Sequence, residues 1–499
     1  NMTKNQSTNL EYIIAYLQHL SPEDLVDVDE FLNYLYKSAN TKPKQLMCLI
    51  LDKIGRKTTD EICDEVQRKF KPMVISNVTT RIINVLHDML LLEGSLKQVA
   101  RQSEQGHGTI MLRKRLLQVR VLAQRGRMEK VPVYLDIIER KARKGESFEE
   151  LCEVLRLRQE MAFECGVGAD FCAMEREIEA LERVVRNLRR VRYACRAVPR
   201  SAPGTRELAG LGTLMSEVEA DHKAMGHARL RFALMQLMTV LFQVDGNGKR
   251  AALQGREMMA FLKANAGLFS ERCVGEAALL WAEAEMSAGE YKGAKTVLER
   301  YAMVLEGMKG EKARVYELHF LADLYRQKQA AARRSLEALE ALHQQGETGP
   351  IESRLMSYRA GLLVQGQQLK EAHAFLSVHR PSRTEDPIWN FGTRVLGVML
   401  AIETGATDTA EILHGRMLKF YYNQRLKSLL PGRWLTILKA LKQLNKHGYN
   451  RRSAAPQLES ILKLLSNSQA EMRWRPGGPE LLPFHDWLQR ICKVPRKAI

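Results

Sequence analysis

Six arginines on one predicted helix carry the clearest binding chemistry in the sequence. Apolar side chains recur at helical spacing over residues 181–198 and define a buried stripe. The opposite face holds Arg183, Arg186, Arg189, Arg190, Arg192 and Arg196. Because a guanidinium group can bind a carboxylate or a phosphate through two hydrogen bonds, this face suits an acidic partner. The alternative is a solvated face neutralised along the helix, since Glu179 and Glu182 each precede an arginine by four residues.

The segment 244–250 resembles two ion-binding loops in outline. As a calcium loop it has Asp245 and Asn247 at suitable positions, but Lys249 and Arg256 stand where oxygen ligands are needed. As a phosphate loop it lacks the serine or threonine that should follow Lys249. We therefore interpret the segment as a turn between two helices.

Metal and catalytic signatures are weak throughout the chain. One group of possible ligands lies within eleven residues: Glu217, Asp221, His222 and His227. The two histidines are five residues apart and do not share a helical face, so we favour a solvated helix surface over a metal site. No Gly-x-Ser-x-Gly motif occurs. The sequence predicts no catalytic residue, no cofactor and no metal, and therefore a protein that is not an enzyme.

The eight cysteines include no Cys-x-x-Cys pair. With no secretory signal in the sequence, we expect reduced, buried thiols and a cytoplasmic protein. The longest strongly apolar run, residues 234–244, is 11 residues long, which is too short to span a bilayer. The sequence predicts no membrane span.

Helical periodicity covers nearly the whole chain, so we predict an all-α fold. A weak repeat accompanies it, in which a turn closes one helix and a small residue opens the next. The central markers are separated by 39, 38 and 39 residues and are Gly289, Lys328, Gly366 and Gly405. Further markers at similar intervals are Gly126, Gly166, Gly246 and Gly448. We expect the glycines to adopt the left-handed conformation that often ends a helix.

The residues Gly289-Glu-Tyr291-Lys-Gly-Ala294 resemble the turn of a tetratricopeptide repeat. The resemblance covers about residues 111–450, although the period is longer and the family's Trp and terminal Pro are mostly missing. It implies a right-handed α-solenoid of antiparallel helix pairs with a period of about 38–43 residues. No peptide-binding residues are carried over from the family. The alternative is a non-repetitive bundle of helix hairpins.

The first hundred residues form a separate helical unit. Helices expected over 44–54, 59–69 and 76–92 resemble a helix-turn-helix domain. However, the third helix becomes apolar after Asn84, and residues 1–105 hold 13 basic and 14 acidic side chains. We therefore favour a helical cap or protein-docking unit over a DNA reader. The layout is similar to that of a bacterial class that joins such a unit to helical repeats and has no assigned activity.

These features divide the chain into four parts. We predict an N-terminal helical domain over 2–101, a linker over 102–110, the helical-repeat solenoid over 111–450 and a C-terminal cap over 451–499. Within the cap, residues 473–483 contain three Pro and two Gly and lead into a last short helix over 484–492.

The charge balance indicates the type of partner. The chain has 76 basic and 58 acidic residues, a net charge of +18, and the excess lies beyond residue 105. Such a surplus favours acidic partners. We predict a non-enzymatic scaffold or adaptor that binds a protein partner, with an acidic segment, along a helical-repeat groove. The alternative is a nucleic-acid-associated regulator with a helix-turn-helix-like N-terminal unit. The sequence does not determine the oligomeric state.

Overall fold

The computed structural model is all-α, as predicted. It describes residues 41–72, 131–165, 171–197, 210–349, 351–378, 386–424, 432–467 and 472–492, with scattered positions within 10–28, 74–82, 112–123 and 426–430. None of these residues lies in a β-strand. The chain forms two compact units, residues 1–158 and residues 159–499.

The N-terminal unit contains α1 (Lys42–Lys53), α2 (Thr59–Lys69), α3 (Val131–Lys144) and the first part of α4 (Phe148–Cys165), which extends beyond residue 158. Helix α2 has the predicted bounds because Thr58 and Glu61 form a capping box, in which the Thr58 N–H donates to Glu61 Oε2 at 2.9 Å. The predicted linker 102–110 and most of the predicted helix 76–92 lie outside the described residues.

The C-terminal unit continues with sixteen described helices. They are α5 (Phe171–Ala197), α6 (Leu211–Met225), α7 (Ala228–Val244), α8 (Gly248–Ala264), α9 (Glu271–Ser287), α10 (Tyr291–Arg300), α11 (Ala302–Glu306), α12 (Lys312–Tyr325), α13 (Gln329–Gln344), α14 (Glu352–Gln365), α15 (Leu369–Val378), α16 (Pro387–Glu403), α17 (Thr407–Asn423), α18 (Gly432–Lys446), α19 (Arg451–Leu465) and α20 (Phe484–Cys492). The last of these has the bounds predicted from the sequence.

Six hairpins account for most of this unit. We call their first helices the A helices (α7, α9, α12, α14, α16 and α18) and their second helices the B helices (α8, α10, α13, α15, α17 and α19). Each A helix is followed directly by its B helix, and α8, α10, α13 and α15 also pack on the next A helix. Neighbouring A helices contact each other; for example, Arg314 of α12 binds Glu283 of α9 at 2.7 Å. This consecutive packing is consistent with a helical repeat.

The turns inside the hairpins share one backbone geometry. Each has a residue with positive φ two positions after the last residue of the A helix, at Gly246, Gly289, Gln327, Gln367, Gly405 and Gly448. The next N–H donates to the carbonyl five residues earlier, at 2.7 to 3.0 Å, as in a Schellman motif. Successive left-handed residues are 43, 38, 40, 38 and 43 apart. The predicted interval is thus confirmed for the described turns.

One marker glycine does not have the predicted role. Gly366 has φ −73°, and the left-handed residue of that turn is Gln367, with φ 59°. The hydrogen bonds from Gln367 N and Gln368 N to the end of α14 hold this non-glycine residue in the left-handed region. The markers Gly126 and Gly166 lie outside the described residues.

An alanine in each B helix lets the two helices of a hairpin pack closely. It follows the left-handed residue by five positions, or by six in the last turn, where Tyr449 also has positive φ. All six side chains are fully buried: Ala251, Ala294, Ala332, Ala372, Ala410 and Ala454. A methyl group at this position fills the space between the helices without separating them.

Candidate partner-binding surfaces

Helix α5 is fixed to α6 by two of the six candidate arginines. Arg183 Nε binds Asp221 Oδ1 at 2.8 Å, and the buried Asn187 donates to the other oxygen of Asp221 at 3.0 Å. Arg190 pairs with Glu217. Asp221 and Glu217, two of the four possible metal ligands in the sequence, therefore bind arginines.

Arg196 joins α5 to the hairpins. Its Nη2 lies 3.2 Å from Glu276 of α9 and 2.7 Å from Glu311, in the turn before α12. Both carboxylates are largely buried, so this contact fixes the arginine in place. The expected pairing of Arg183 with Glu179 on the same helix is replaced by a contact with the neighbouring helix.

The remaining arginines of α5 are on its exposed side. Arg186, Arg189 and Arg192 are exposed, and among the described residues no ion pair involves Arg186 or Arg192. Tyr193 is 65% exposed on the same side, seven residues after Arg186. Half of the predicted site is therefore structural, and the other half forms a basic surface with one exposed aromatic ring.

A second surface lies on the A helices, where residues 472–483 cross the unit. We call these residues the C-terminal segment. Near the start of this segment, Arg475 Nη2 donates to the carbonyl oxygen of Val244, the last residue of α7, over 2.7 Å. Arg473 Nη2 donates to the carbonyl oxygen of Ser287, the last residue of α9, over 3.5 Å. Carbonyl groups at helix C-termini have no partner within the helix and attract cations, which explains why arginines bind here.

Helix α12 contacts the middle of the C-terminal segment through Tyr325. The Gly477 N–H donates to the Tyr325 hydroxyl at 3.0 Å, and that hydroxyl donates to the Leu481 carbonyl at 3.1 Å. The Trp474 ring packs edge-on against the Tyr325 ring, with 5.5 Å between centroids. One side chain thus fixes both sides of the turn at 476–479.

Glycines on α14 and α16 make room for the rest of the segment. A Cβ on Gly361 would lie 2.5 Å from Leu481 Cδ2, and a Cβ on Gly392 would lie 2.2 Å from the Pro479 carbonyl oxygen. Leu481 itself is 2% exposed and packs in a core with Tyr358. Leu481 is therefore packed among the A helices as a core residue, whereas residues 472–480 are half-buried.

The last anchor is an ion pair with α18. The buried Arg433 binds both carboxylate oxygens of Glu480, with Nε–Oε2 2.5 Å and Nη2–Oε1 2.7 Å. Arg433 Nη1 also donates to the carbonyl of Leu465 at 2.8 Å, and Glu480 Oε1 accepts from the Phe484 N–H at 2.8 Å. The carboxylate thus joins α18 to the start of α20.

The sequence prediction did not identify this face. Because Pro and Gly dominate residues 473–483, the sequence predicts only an irregular stretch that leads to the last helix. The available signal was Trp474 and Leu481, since large apolar side chains in a non-helical segment need a surface that buries them. Nothing local identifies α7 as part of that surface, 231 residues away from Arg475.

The segment 244–250 is the turn that was predicted. Helix α7 ends at Val244, Gly246 is left-handed with φ 73°, and the side chain of Asn247 caps α8 by accepting from Arg250 N. Across the described positions, no group of three or more His, Cys, Asp and Glu side chains is arranged to hold a metal.

The cysteines differ in their surroundings. Burial raises the pKa of Cys63 to about 11 and that of Cys195 to about 12, so both are protonated at neutral pH. Cys152 is also buried, whereas Cys48 and Cys172 are exposed, which corrects the prediction that the thiols are buried. No helix in the described part of the chain is both long and apolar enough to cross a bilayer.

One lysine in the hairpin region contacts both a histidine and an aspartate. Lys295 Nζ donates to His319 Nδ1 at 2.9 Å and binds Asp323 at 2.7 Å. Burial, and then the charge of Lys295, lower the pKa of His319 from its usual 6.5 to about 4, against the opposing effect of Asp323.

Acid is expected to destabilise the C-terminal unit through this group. The unfolded chain takes up a proton on His319 near pH 6.5 but the folded protein only near pH 4, so the free energy of unfolding falls across this window. We expect His319 to lower the free energy of unfolding by at most about 3 kcal/mol, and its contribution does not change further below pH 4. Denaturant unfolding at pH 7 and pH 4.5 should show a smaller loss in His319→Gln than in the unmodified protein. An equal loss in both would contradict this assignment.

We compared the chain with known proteins by sequence and by structure. No protein-family model, no curated protein and no solved structure matches the chain.

Proposed function

We propose that the chain is a non-enzymatic scaffold or adaptor whose hairpin unit binds a protein partner. The observation that carries this proposal is the C-terminal segment, because a non-helical peptide already contacts all six A helices. A surface with such contacts has the side chains and helix ends needed to bind a peptide. We further propose a right-handed, tetratricopeptide-like solenoid, supported by the recurrent turn and its buried alanine.

The basic side of α5 supports a partner with an acidic segment. Arg183, Arg190 and Arg196 already bind carboxylates, which shows the chemistry available on this helix. Arg186 and Arg192 present the same groups to solvent. We also propose a cytoplasmic location, which is supported by the exposed thiols of Cys48 and Cys172, since such thiols suit a reducing compartment.

Charge reversal on α5 tests the acidic-partner proposal. We expect Arg186→Glu/Arg192→Glu to weaken binding of a labelled poly-glutamate peptide about tenfold or more, because like charges then face each other. Fluorescence anisotropy at low salt measures this binding. The matched control is Arg333→Glu/Arg334→Glu, which makes the same change in net charge at two exposed arginines of α13. An equal loss in the control would reject α5 as the site.

A second candidate function is binding of single-stranded nucleic acid. The observation that favours it is Tyr193, an aromatic ring 65% exposed among arginines, since bases stack on such rings. A gel shift with labelled single-stranded RNA at several salt concentrations tests this candidate. Retention should fall steeply with salt. Tyr193→Ala should weaken it more than Tyr422→Ala, whose ring is 70% exposed on α17. No retention at low salt would reject it.

A further inference from the structure

The contacts of the C-terminal segment divide it into two parts that differ in burial. Glu480 and Leu481 are held by a buried arginine and by an apolar core. Residues 473–478 are partly exposed, and they contact the A helices through hydrogen bonds to helix ends and through the hydroxyl group and ring of Tyr325. Local release therefore needs less free energy for the first part than for the second.

Each part of the A-helix face offers a different group for binding a peptide. Near α7 and α9 it offers helix C-termini, which bind cations, and Asp245 adds a negative charge beside Arg475. On α12, Tyr325 offers a ring and a hydroxyl group. On α14 and α16, Gly361 and Gly392 leave room for a backbone and an apolar side chain. On α18, Arg433 binds a carboxylate. A peptide that fits needs arginines around an aromatic residue, a compact turn, and then a Glu-Leu pair.

We propose that the A-helix face is a peptide-binding site, that the C-terminal segment is its intramolecular ligand, and that a partner peptide of the same chemistry binds there by displacing it. This inference rests on the proposed scaffold function and adds the partner's chemistry and its regulation. Because the resident segment is covalently attached, it competes at a high effective concentration, and the face is closed to partners until the segment leaves. The acidic-partner surface on α5 is separate from this face.

Variants in the segment should open the face without changing it. Gly477 has φ 75°, and a Cβ there would lie 2.9 Å from Leu321 Cδ1, so Gly477→Ala strains the backbone and the packing. Gly478→Ala is the matched control, because Gly478 has no positive φ and a Cβ there would lie near Arg475 only, 3.2 Å from its carbonyl oxygen, and within 4 Å of no atom of the A helices. Leu481→Ala is a stronger second variant.

The probe is a fluorescently labelled peptide with the sequence of residues 472–483. We expect it to bind Gly477→Ala and Leu481→Ala about tenfold or more tightly than the unmodified protein or Gly478→Ala. Hydrogen exchange should show faster exchange of the Gly477 and Leu481 region in the opened variants, which reports release of the segment independently of binding.

Variants in the face should then block the probe. Gly392→Ala, added to an opened variant, places a Cβ against the Pro479 carbonyl of the bound peptide and should abolish binding. Gly397→Ala on the same helix is the control, since its nearest neighbour is 4.0 Å away, and binding should persist.

A probe that binds the unmodified protein as tightly as it binds the opened variants overturns the inference. The inference is also overturned if the probe fails to bind a variant in which hydrogen exchange shows that the segment is released. It is overturned as well if the segment stays protected from exchange in both Gly477→Ala and Leu481→Ala. If Leu481→Ala does not fold, Gly477→Ala decides. The poly-glutamate experiment on α5 does not involve this face, so the two proposals fail separately.

Discussion

Replacing Arg433 with alanine is expected to lower the free energy of unfolding by about 3–5 kcal/mol, the cost of removing one partner from a buried ion pair. Arg433 is 4% exposed and binds Glu480 through two hydrogen bonds. Its removal leaves that carboxylate buried without its cation and leaves the carbonyls of Leu465 and Met472 without this donor. Denaturant unfolding of the full chain measures the loss.

The matched control for this substitution is Arg452→Ala. Arg452 is an exposed arginine on α19, so we expect a change within about 0.5 kcal/mol. The double variant Arg433→Ala/Glu480→Ala should lose less stability than the two single losses added together, because no unpaired charge remains. A loss in Arg433→Ala as small as that in the control would mean that the ion pair does not hold the segment.

Leu481→Ala is expected to lower the free energy of unfolding by about 2–5 kcal/mol, through lost burial and the cavity that remains. Leu481 is 2% exposed and packs in the core that includes Phe320, Tyr358 and Trp389. Leu464→Ala, at a leucine that is 51% exposed on α19, is the control and should cost much less. Unfolding by denaturant again provides the measurement.

A compensating substitution makes this test specific to the observed packing. A Cβ on Gly361 would lie 2.5 Å from Leu481 Cδ2, so Gly361→Ala alone should overpack the core. In the Leu481→Ala background the same methyl group has space, and alanine also favours the helix over glycine. We expect Gly361→Ala to restore part of the stability lost in Leu481→Ala. If Gly361→Ala destabilises the unmodified protein and the Leu481→Ala variant equally, Leu481 does not pack against Gly361.

The two large effects fall on the same segment, and this affects how the hairpin unit can bind a partner. The sequence predicts that a protein partner binds along a helical-repeat groove, and this stays a prediction. In the structure the A helices hold a peptide of the same chain, which is fixed by Arg433 at one end and reaches the end of α7 at the other. A partner that binds at that face therefore competes with an internal contact, whereas Arg186 and Arg192 of α5 are exposed and no ion pair involves them among the described residues.

Local signals explain why the turns and many helix bounds were predictable. A Schellman turn involves residues within about six positions, so a glycine such as Gly289 and the alanine five residues later carry the information themselves. The exception at Gln367 shows the limit, because a neighbouring glycine is available and the backbone places the next residue in the left-handed region. Hydrogen bonds at the helix end, rather than residue type, decide that position.

The arginines of α5 show what local signals cannot decide. Their face was predictable from the apolar stripe, but the division between structural and exposed arginines was not. Arg183 is bound by Asp221, 38 residues later, and Arg196 by Glu276, 80 residues later. Neither distance follows from the helical period of α5.

The sequence by itself determined the all-α fold, the interval of the hairpins and the basic character of α5, because each depends on residues a few positions apart. Only the tertiary structure decided which arginines stay exposed and which surface holds residues 472–483. Those outcomes depend on contacts between side chains that are tens to hundreds of residues apart in the sequence. The local sequence around one of these residues does not indicate which distant residue it contacts.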